Sequence, residues 1–507
     1  MTLIEQMLQP GFYPHPVIEP VTLIQTHVSY VFLTGDYAYK VKKPVNFGFL
    51  DYSTLAKREH FCHQELEMNK RGAPELYLEV LPVTQAVDKF SLGGSGEAVE
   101  YVLKMCQFPQ SALLSEMFEL GTLNDSHMEE LGRVVANYHE QAQSSDRIRS
   151  FGEVAQVRQA IDENYEQTKK YIGNPQTQAQ YAETKKYTDN FFTGRSQLFS
   201  SRIENNKIRE CHGDLHLRNI CLWHDKILLF DCIEFNEPFR FVDVMYDVAF
   251  TVMDLQARQR SDFGNAFLNT YAEQTGDWEG LQVLPLYLSR QAYVRAKVTS
   301  FLLDDPGIPE AAKVEAAKTA SGYYKLAWEY TKPRKGKLIL MSGLSGSGKS
   351  TTAKLLARKL DAIHLRSDAV RKHLGNIPLS ERGGDALYTP EMTQKTYDRL
   401  LQLGVMLAHQ GFTVILDAKY DRTALRTNAI DLADFQQLPL QIIHCTAPME
   451  VLRDRLAARQ GDIADATVDL LESQIALAEA FTVVEQPFVQ TLDTTKPIEP
   501  QLGMIYE

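Results

Sequence analysis

Lys337-Leu338-Ile339-Leu340-Met341 leads through Ser342 into Gly343-Leu344-Ser345-Gly346-Ser347-Gly348-Lys349-Ser350, and this stretch decides how the second half of the chain folds. The apolar run reads as a short buried strand and Thr351–Leu360 as a helix. The pattern G-x-x-x-x-G-K-[ST] therefore falls between strand and helix, the context its chemistry requires. Glycines let successive backbone amides turn inward around phosphates, and the helix N-terminus adds a favourable dipole. Gly343, Ser345, Gly346, Ser347, Gly348 and Thr351 are the expected nucleotide cradle. Lys349 is expected to reach the β- and γ-phosphates, and Ser350 to hold Mg²⁺.

Working outward, Ala362–Leu365 reads as a second strand that delivers Arg366-Ser367-Asp368-Ala369-Val370-Arg371 at its carboxyl end, where open α/β sheets bind ligands. Asp368 and Arg371 are expected to face an acceptor. A third strand, Thr413–Leu416, ends in Asp417, and a fourth spans Leu440–His444. Arg453, Arg455 and Arg459 on the next helix fit a lid that neutralises charge on a transferred phosphoryl group. Over about Lys337–Gln474 the chain resembles small P-loop kinases, the group of gluconate kinase, chloramphenicol phosphotransferase and the zeta-toxin kinases. That resemblance implies catalytic roles for Lys349, Asp368, Asp417 and Arg459: Asp368 touching the acceptor, Asp417 acting on metal or acceptor, and Arg459 closing over the nucleotide.

The first half carries an independent signature, Glu210-Cys211-His212-Gly213-Asp214-Leu215-His216-Leu217-Arg218-Asn219-Ile220, followed by Lys226–Asp231. A carboxylate, an amide five residues on and a second carboxylate ending the next strand are what phosphoryl transfer in kinase-like folds needs. Asp214 would orient the acceptor hydroxyl or take its proton, while Asn219 and Asp231 would hold Mg²⁺. His212 and His216, four apart, would share a face only on a helix, and Gly213 argues for a loop, so a supporting role within the loop is expected rather than zinc. The string resembles the catalytic loop of aminoglycoside phosphotransferases. By that resemblance Asp243 and Asp247 brace the loop; from sequence alone they read equally well as helix N-terminal acids.

Kinases of this fold need a strand lysine and a helix glutamate. Ala38-Tyr39-Lys40 resembles the lysine element, with Lys42 and Lys43 as competitors, and Glu65 or Glu59 on the helix Thr54–Arg71 would be the partner, Glu65 preferred. Leu103-Lys104-Met105 resembles the hinge that receives adenine, which assigns Met105 to the nucleotide. Val28–Lys42 reads as a hairpin turning at Thr34-Gly35-Asp36, and Leu76–Pro82 with Ala98–Met105 as a strand pair. Helices are expected across Leu113–Leu198 and Val242–Tyr330, with strands in Ile208–Phe235. Two departures, the absence of Gly-x-Gly-x-x-Gly before Lys40 and Leu217-Arg218 in place of Pro-Gly, bear on the acceptor.

The expected fold class is an α+β protein-kinase-like, bilobal domain at 1–330 (N-lobe about 1–105, C-lobe about 106–330), then a linker at 331–336 and an α/β P-loop NTPase domain with a parallel sheet at 337–507. A chain of 507 residues exceeds one ordinary core. A net charge of -12 argues against a phosphate-tracking surface for duplex DNA. No apolar run long enough for a membrane span and no leader pattern is present in the sequence, so the cytoplasm is the expected compartment. The six cysteines include no Cys-x-x-Cys pair and read as buried thiols. Nearly the whole chain resembles a bacterial family of bifunctional aminoglycoside phosphotransferase/ATP-binding proteins. That resemblance implies ATP and Mg²⁺ as cofactors, small-molecule hydroxyl acceptors as partners, and two separate kinase sites. Three readings stay open: two metabolite kinases, one kinase with a nucleotide-binding regulator, or a P-loop half acting on a polynucleotide end or nucleotide sugar through a basic groove at Arg366, Arg371, Lys372 and Arg382. No acidic cluster suited to cationic amino sugars is evident.

Overall fold

The computed structural model describes residues 1–94, 96–458, 463–465 and 467–502. By compactness the chain forms two units, Met1–Asp254 with Arg290–Tyr324, and Leu255–Ser289 with Lys325–Glu507. The linear order of motifs is thus not the division of the packing, since Leu255–Ser289 clusters with the glycine-loop half.

Within the first unit, six strands form one antiparallel sheet: β1 (Thr22–Gln25), β2 (Ser29–Leu33), β3 (Tyr37–Lys42), β4 (Tyr77–Ala86), β5 (Lys89–Leu92) and β6 (Ala98–Cys106), in the order β1-β2-β3-β6-β4-β5. The β2–β3 turn falls where Thr34-Gly35-Asp36 was expected, with Thr34 N–H donating to the Tyr37 carbonyl at 2.9 Å. Side chains alternate along a strand. Tyr39 and Val41 join Phe32, Val83 and Val102 in the core on one face, which turns Lys40 and Lys42 to the other. There lies the helix Leu55–Asn69, capped by Thr54 and burying Arg58, Cys62, Glu65, Met68 and Asn69. Two charged residues on its buried stripe explain why apolar periodicity is faint in this segment.

The rest of this unit is mainly helical, with two ribbons: β7 (Ile208–Glu210) paired to a later strand, and β8 (Ile220–Trp223) paired to β9 (Lys226–Leu229). The partner of β7 is β10 (Phe241–Asp243). The ribbons hold the segments 211–219 and 230–236 between them. Sheet, buried lysine–glutamate face and ribbon-borne loops define a protein-kinase-like fold.

In the second unit β11 (Lys337–Ser342), β12 (Ile363–Arg366), β13 (Thr413–Asp417), β14 (Leu440–Thr446) and β15 (Val489–Asp493) make a wholly parallel sheet in the order β12-β13-β11-β14-β15. Leu338, Ile339, Leu340 and Met341 are 0% exposed, as a central strand covered on both faces must be. Register aligns Met341 with Asp417 and Asp417 with Arg366, so the glycine loop, the carboxylate and the segment beyond Arg366 leave the sheet at one edge. The sequence reading missed β15, whose Gln490 and Thr491 weaken the apolar pattern.

The helix Ser261–Thr275 closes the β12 edge. Residues four apart share a helix face, and here Asn265 and Asn269 use it to imitate a strand. Asn269 accepts from His364 N–H (2.8 Å) and donates to the Ala362 carbonyl (3.0 Å), which Asn265 also reaches at 2.9 Å. This satisfies backbone groups that an edge strand leaves open, and it is why this helix belongs to the P-loop fold. Among the described residues no helix is long and apolar enough to cross a membrane.

Candidate active sites

Lys40 sits between two carboxylates: its Nζ is 2.6 Å from Glu65 Oε1 and 2.7 Å from Asp231 Oδ1. Alternation brings Lys42 to the same face, where it meets Glu65 Oε2 at 2.5 Å and Glu234 Oε1 at 2.5 Å. Glu59 lies elsewhere, beside Tyr101. Glu65 is fully buried; burial pushes its carboxyl up, but Lys40 and Lys42 outweigh it and hold the group at about 2. Burial likewise disfavours the Lys40 ammonium, and Asp231 and Glu65 reverse that, raising its pKa well above the usual lysine value. Lys40, Lys42 and Glu65 are therefore held charged, in a buried network that tolerates charge because each has partners. Sequence reasoning missed Glu234 and Tyr52, which hydrogen-bond each other and Lys42; a glutamate three residues past Asp231 was the available signal.

The segment Cys211–Asn219 is held by the helix that follows β10. Asp247 accepts from the backbone N–H groups of His212 (2.7 Å) and Gly213 (2.9 Å), and Asp254 from Leu217 N–H at 3.1 Å. Asp243 instead pairs with Arg202 at 2.7 Å. A Cβ on Gly213, at φ +83°, would lie 2.7 Å from the Phe239 carbonyl oxygen, so only glycine fits there. Asn219 Nδ2 donates to the Asp214 carbonyl and to Asp214 Oδ2, both at 3.0 Å. His216 Nε2 stands 3.5 Å from Asp214 Oδ2. Burial raises the Asp214 carboxyl, but His216, His212 and Arg295 bring it down to about 2. His212 and His216 both serve the loop: His212 Nε2 reaches the Phe230 carbonyl at 2.9 Å, and His216 Nδ1 accepts from Arg218 N–H. Met105 lies inside β6 with β3 on one side and β4 on the other, so the chain first leaves the sheet at Gln107.

In the second unit Gly343, at φ +135°, approaches the Cys445 carbonyl so closely that a Cβ would stand 2.4 Å from its oxygen. Lys349 Nζ donates to the Leu344 carbonyl across the loop at 2.8 Å. Burial lowers its pKa, against the opposing pull of Asp417. Ser345 is clasped by Gln474, which accepts its N–H and donates to its hydroxyl, both at 3.0 Å. Ser350 and Thr351 occupy the first turn of the helix Lys349–Leu360, beside Gly346, Ser347 and Gly348. Asp417 is bound by His364 Nε2 at 3.0 Å; burial raises its carboxyl, and His364, Arg366 and Lys349 hold it at about 2.

Asp368 lies in the first turn of the helix Ser367–Leu374, beyond the same sheet edge. Arg371 takes another course: it is buried, and its guanidinium donates to the Leu387 carbonyl (2.7 Å) and Thr393 Oγ1 (3.2 Å). Lys372 is buried as well, on the Leu379 and Glu381 carbonyls. Both cations anchor the segment 379–393 rather than lining a basic groove. Arg459 lies outside the described residues. Arg455, four residues earlier in sequence, donates to Thr494 Oγ1 (2.9 Å) and to the Gly346 carbonyl (3.3 Å), and Thr494 in turn donates to the Ser347 carbonyl at 2.8 Å. The sequence reading did not single out Thr494, because nothing local marks it.

Fold and site together define two kinase-like halves, one of protein-kinase type and one of P-loop type. A family model described as an AAA domain matches residues 338–481. "Uncharacterized protein Rv2004c" of Mycobacterium tuberculosis is 30% identical over 498 residues, covering 97% of this chain and 96% of that one. The chain belongs to the family of this mycobacterial protein. Among solved structures, a choline/ethanolamine kinase family protein from Mesorhizobium loti is similar at 10% identity and TM-score 0.38, covering 65% of this chain and 99% of its own. A gluconokinase from Sinorhizobium meliloti is similar at 19% identity and TM-score 0.25, covering 34% and 89%.

Proposed function

We propose that the chain is an ATP-dependent phosphotransferase with two separate sites, each transferring the γ-phosphoryl group of ATP to a hydroxyl of a small molecule. The observation that carries this reading is Lys40 held between Glu65 and Asp231, with Asn219 bound to Asp214. A lysine so placed neutralises the phosphates, and its carboxylate partners keep it charged and aimed. In the transfer the acceptor oxygen bonds to the γ-phosphorus, the bond from that phosphorus to the β,γ-bridging oxygen breaks, and ADP leaves. Asp214 orients the hydroxyl. With its carboxyl near 2 it is a weak base, so it takes the proton late, once bond formation to phosphorus has made that proton acidic.

The donor sets suit a hard cation: an amide oxygen and a carboxylate from Asn219 and Asp231 in one half, the Ser350 hydroxyl and Asp417 in the other. Mg²⁺, when bound, supplies charge neutralisation of the phosphates. Adenine is best received by backbone groups past β6, in Gln107–Pro109, one step beyond Met105. In the P-loop half, Lys349, Asp368, Asp417 and the lid arginines carry the corresponding roles, and the inward-turned Arg371 and Lys372 weigh against a nucleic-acid acceptor.

Transfer of labelled phosphate from ATP into metabolite extract tests the reading. Asp231→Asn should remove one set of products and Lys349→Ala another, each by about 10²–10³-fold. Products that survive both substitutions would overturn it.

A further inference from the structure

Two lysine–carboxylate bridges run side by side from β3 to the segment after β9. In the outer one Lys40 Nζ meets Asp231 Oδ1 at 2.7 Å; in the inner one Lys42 Nζ meets Glu234 Oε1 at 2.5 Å. Glu65 joins them, with Oε1 on Lys40 and Oε2 on Lys42. Their exposure differs. The Asp231 side chain is 47% exposed, whereas those of Lys42 and Glu234 are 2% and 7% exposed. The outer bridge is open to a ligand and the inner one is not.

The segment that begins at Asp231 has to be held by something other than the Asp231 carboxylate. Asp231 itself sits at φ +59°, a left-handed value that a residue with a side chain keeps only where its surroundings enforce it. Its neighbours are fixed one by one: Asp231 N–H donates to Tyr77 Oη (3.1 Å), Cys232 N–H to Asn69 Oδ1 (2.9 Å) and Ile233 N–H to the His212 carbonyl (3.0 Å). Glu234 ends this run with its side chain, which accepts from Lys42 and from the Tyr52 hydroxyl, while its carbonyl accepts from Arg240 at 3.2 Å. Tyr52 is anchored in turn: its carbonyl accepts from Arg58 (3.0 Å), which pairs with Glu100 at 2.9 Å, and its ring lies 4.6 Å from Lys42 Nζ. Charge balance alone does not ask for this tie, because Glu65 and Asp231 already match the two lysines in number.

We propose that Glu234, gripped by Lys42 and Tyr52, is a positioning residue of the first site: it anchors the segment that carries Asp231, so that the Asp231 carboxylate is free to leave Lys40 for a divalent cation. This rests on the kinase reading of that site and deepens it by separating the residue that holds the cation from the one that keeps that residue in place. Groups that orient a metal ligand without touching the metal set its affinity, because they decide how much the ligand must rearrange on binding. Glu234 reaches Asp231 through three residues of backbone, and its grip comes from β3 and from the chain just before the helix of Glu65.

The test uses the full chain carrying Lys349→Ala, saturated with a non-hydrolysable ATP analogue, and reads Mn²⁺ affinity by electron paramagnetic resonance. The affinity of the same analogue without metal is measured by calorimetry in chelator. Glu234→Ala should weaken Mn²⁺ by about tenfold and leave the metal-free nucleotide where it was. Glu234→Gln, which keeps an acceptor oxygen for both donors, should restore part of the loss. Tyr52→Phe, the milder change, should cost about threefold, and added to Glu234→Ala it should cost nothing more, since both act through one tie. A purely structural role would move metal and metal-free nucleotide alike. Unchanged Mn²⁺ affinity in Glu234→Ala, parallel loss of the metal-free nucleotide, or additive effects of the two substitutions overturns the inference. If Mn²⁺ binding is indifferent to Asp231→Asn, the kinase reading falls; if it depends on Asp231 and not on Glu234, this inference falls alone.

Discussion

The two kinase-like halves hold their lysines in opposite ways. In the first unit Lys40 is gripped by carboxylates 25 and 191 residues away in sequence, and its pKa is driven up. In the second, Lys349 bends onto a carbonyl five residues back and burial drives its pKa down. The first arrangement is a prepaired network spanning sheet, helix and loop, complete before any ligand arrives. The second is a local loop whose lysine has a backbone carbonyl for its partner, with the charge of Asp417 opposing the effect of burial. One site is assembled by tertiary structure, the other by a dozen consecutive residues.

That contrast is open to breakage. The largest effect should come from Glu65→Ala, which leaves Lys40 and Lys42 each short of a partner in a buried site; the first unit should lose about 3–5 kcal/mol of stability, read as an earlier denaturant transition, with the P-loop unit unmoved. Equal shifts in both units would erase the distinction. Acid should act through the same residue. Glu65 sits at about 2 against an ordinary 4.5, so its stabilisation is complete above the ordinary value and is lost as pH falls from there toward 2. Circular dichroism melts across that window should show the first unit softening, and Glu65→Gln should flatten the profile.

Smaller effects sharpen the other side. Gly343→Ala places a Cβ against the Cys445 carbonyl at a backbone angle that favours glycine; it should destabilise the P-loop unit by about 1–3 kcal/mol and weaken its nucleotide binding with no change at the first site. Arg455→Ala removes one layer of loop support at Gly346 and Thr494. Steady-state kinetics at the second site should show KM for ATP rising several-fold, about 1 kcal/mol, with kcat changed less.

Legibility followed the same line. Gly343 through Ser350 could be read directly because the loop is contiguous and its residue types are dictated one by one. Asp214, Asn219 and Asp231 were legible from spacing, since a single ribbon sets their separation. Glu65 could be separated from Glu59 only by seeing which turn of the helix faces β3. Glu234 offered only its place three residues past Asp231 and Tyr52 offered nothing local, because their significance is a buried charge balance. Arg371 shows the same limit: its place beyond a sheet edge reads as a ligand contact, while the partners of its guanidinium, the Leu387 carbonyl and Thr393, come from segments the local sequence does not point to.

By itself the sequence determined two phosphate-handling motifs, the strand-loop-helix around Lys349 and the carboxylate spacing around Asp214, because both are written in short, contiguous runs. Only the tertiary structure decided which charges meet, and that Asn265 and Asn269 close the edge of β12. Charge balance and edge pairing depend on distances between residues far apart in the chain, and those distances exist only once it has folded.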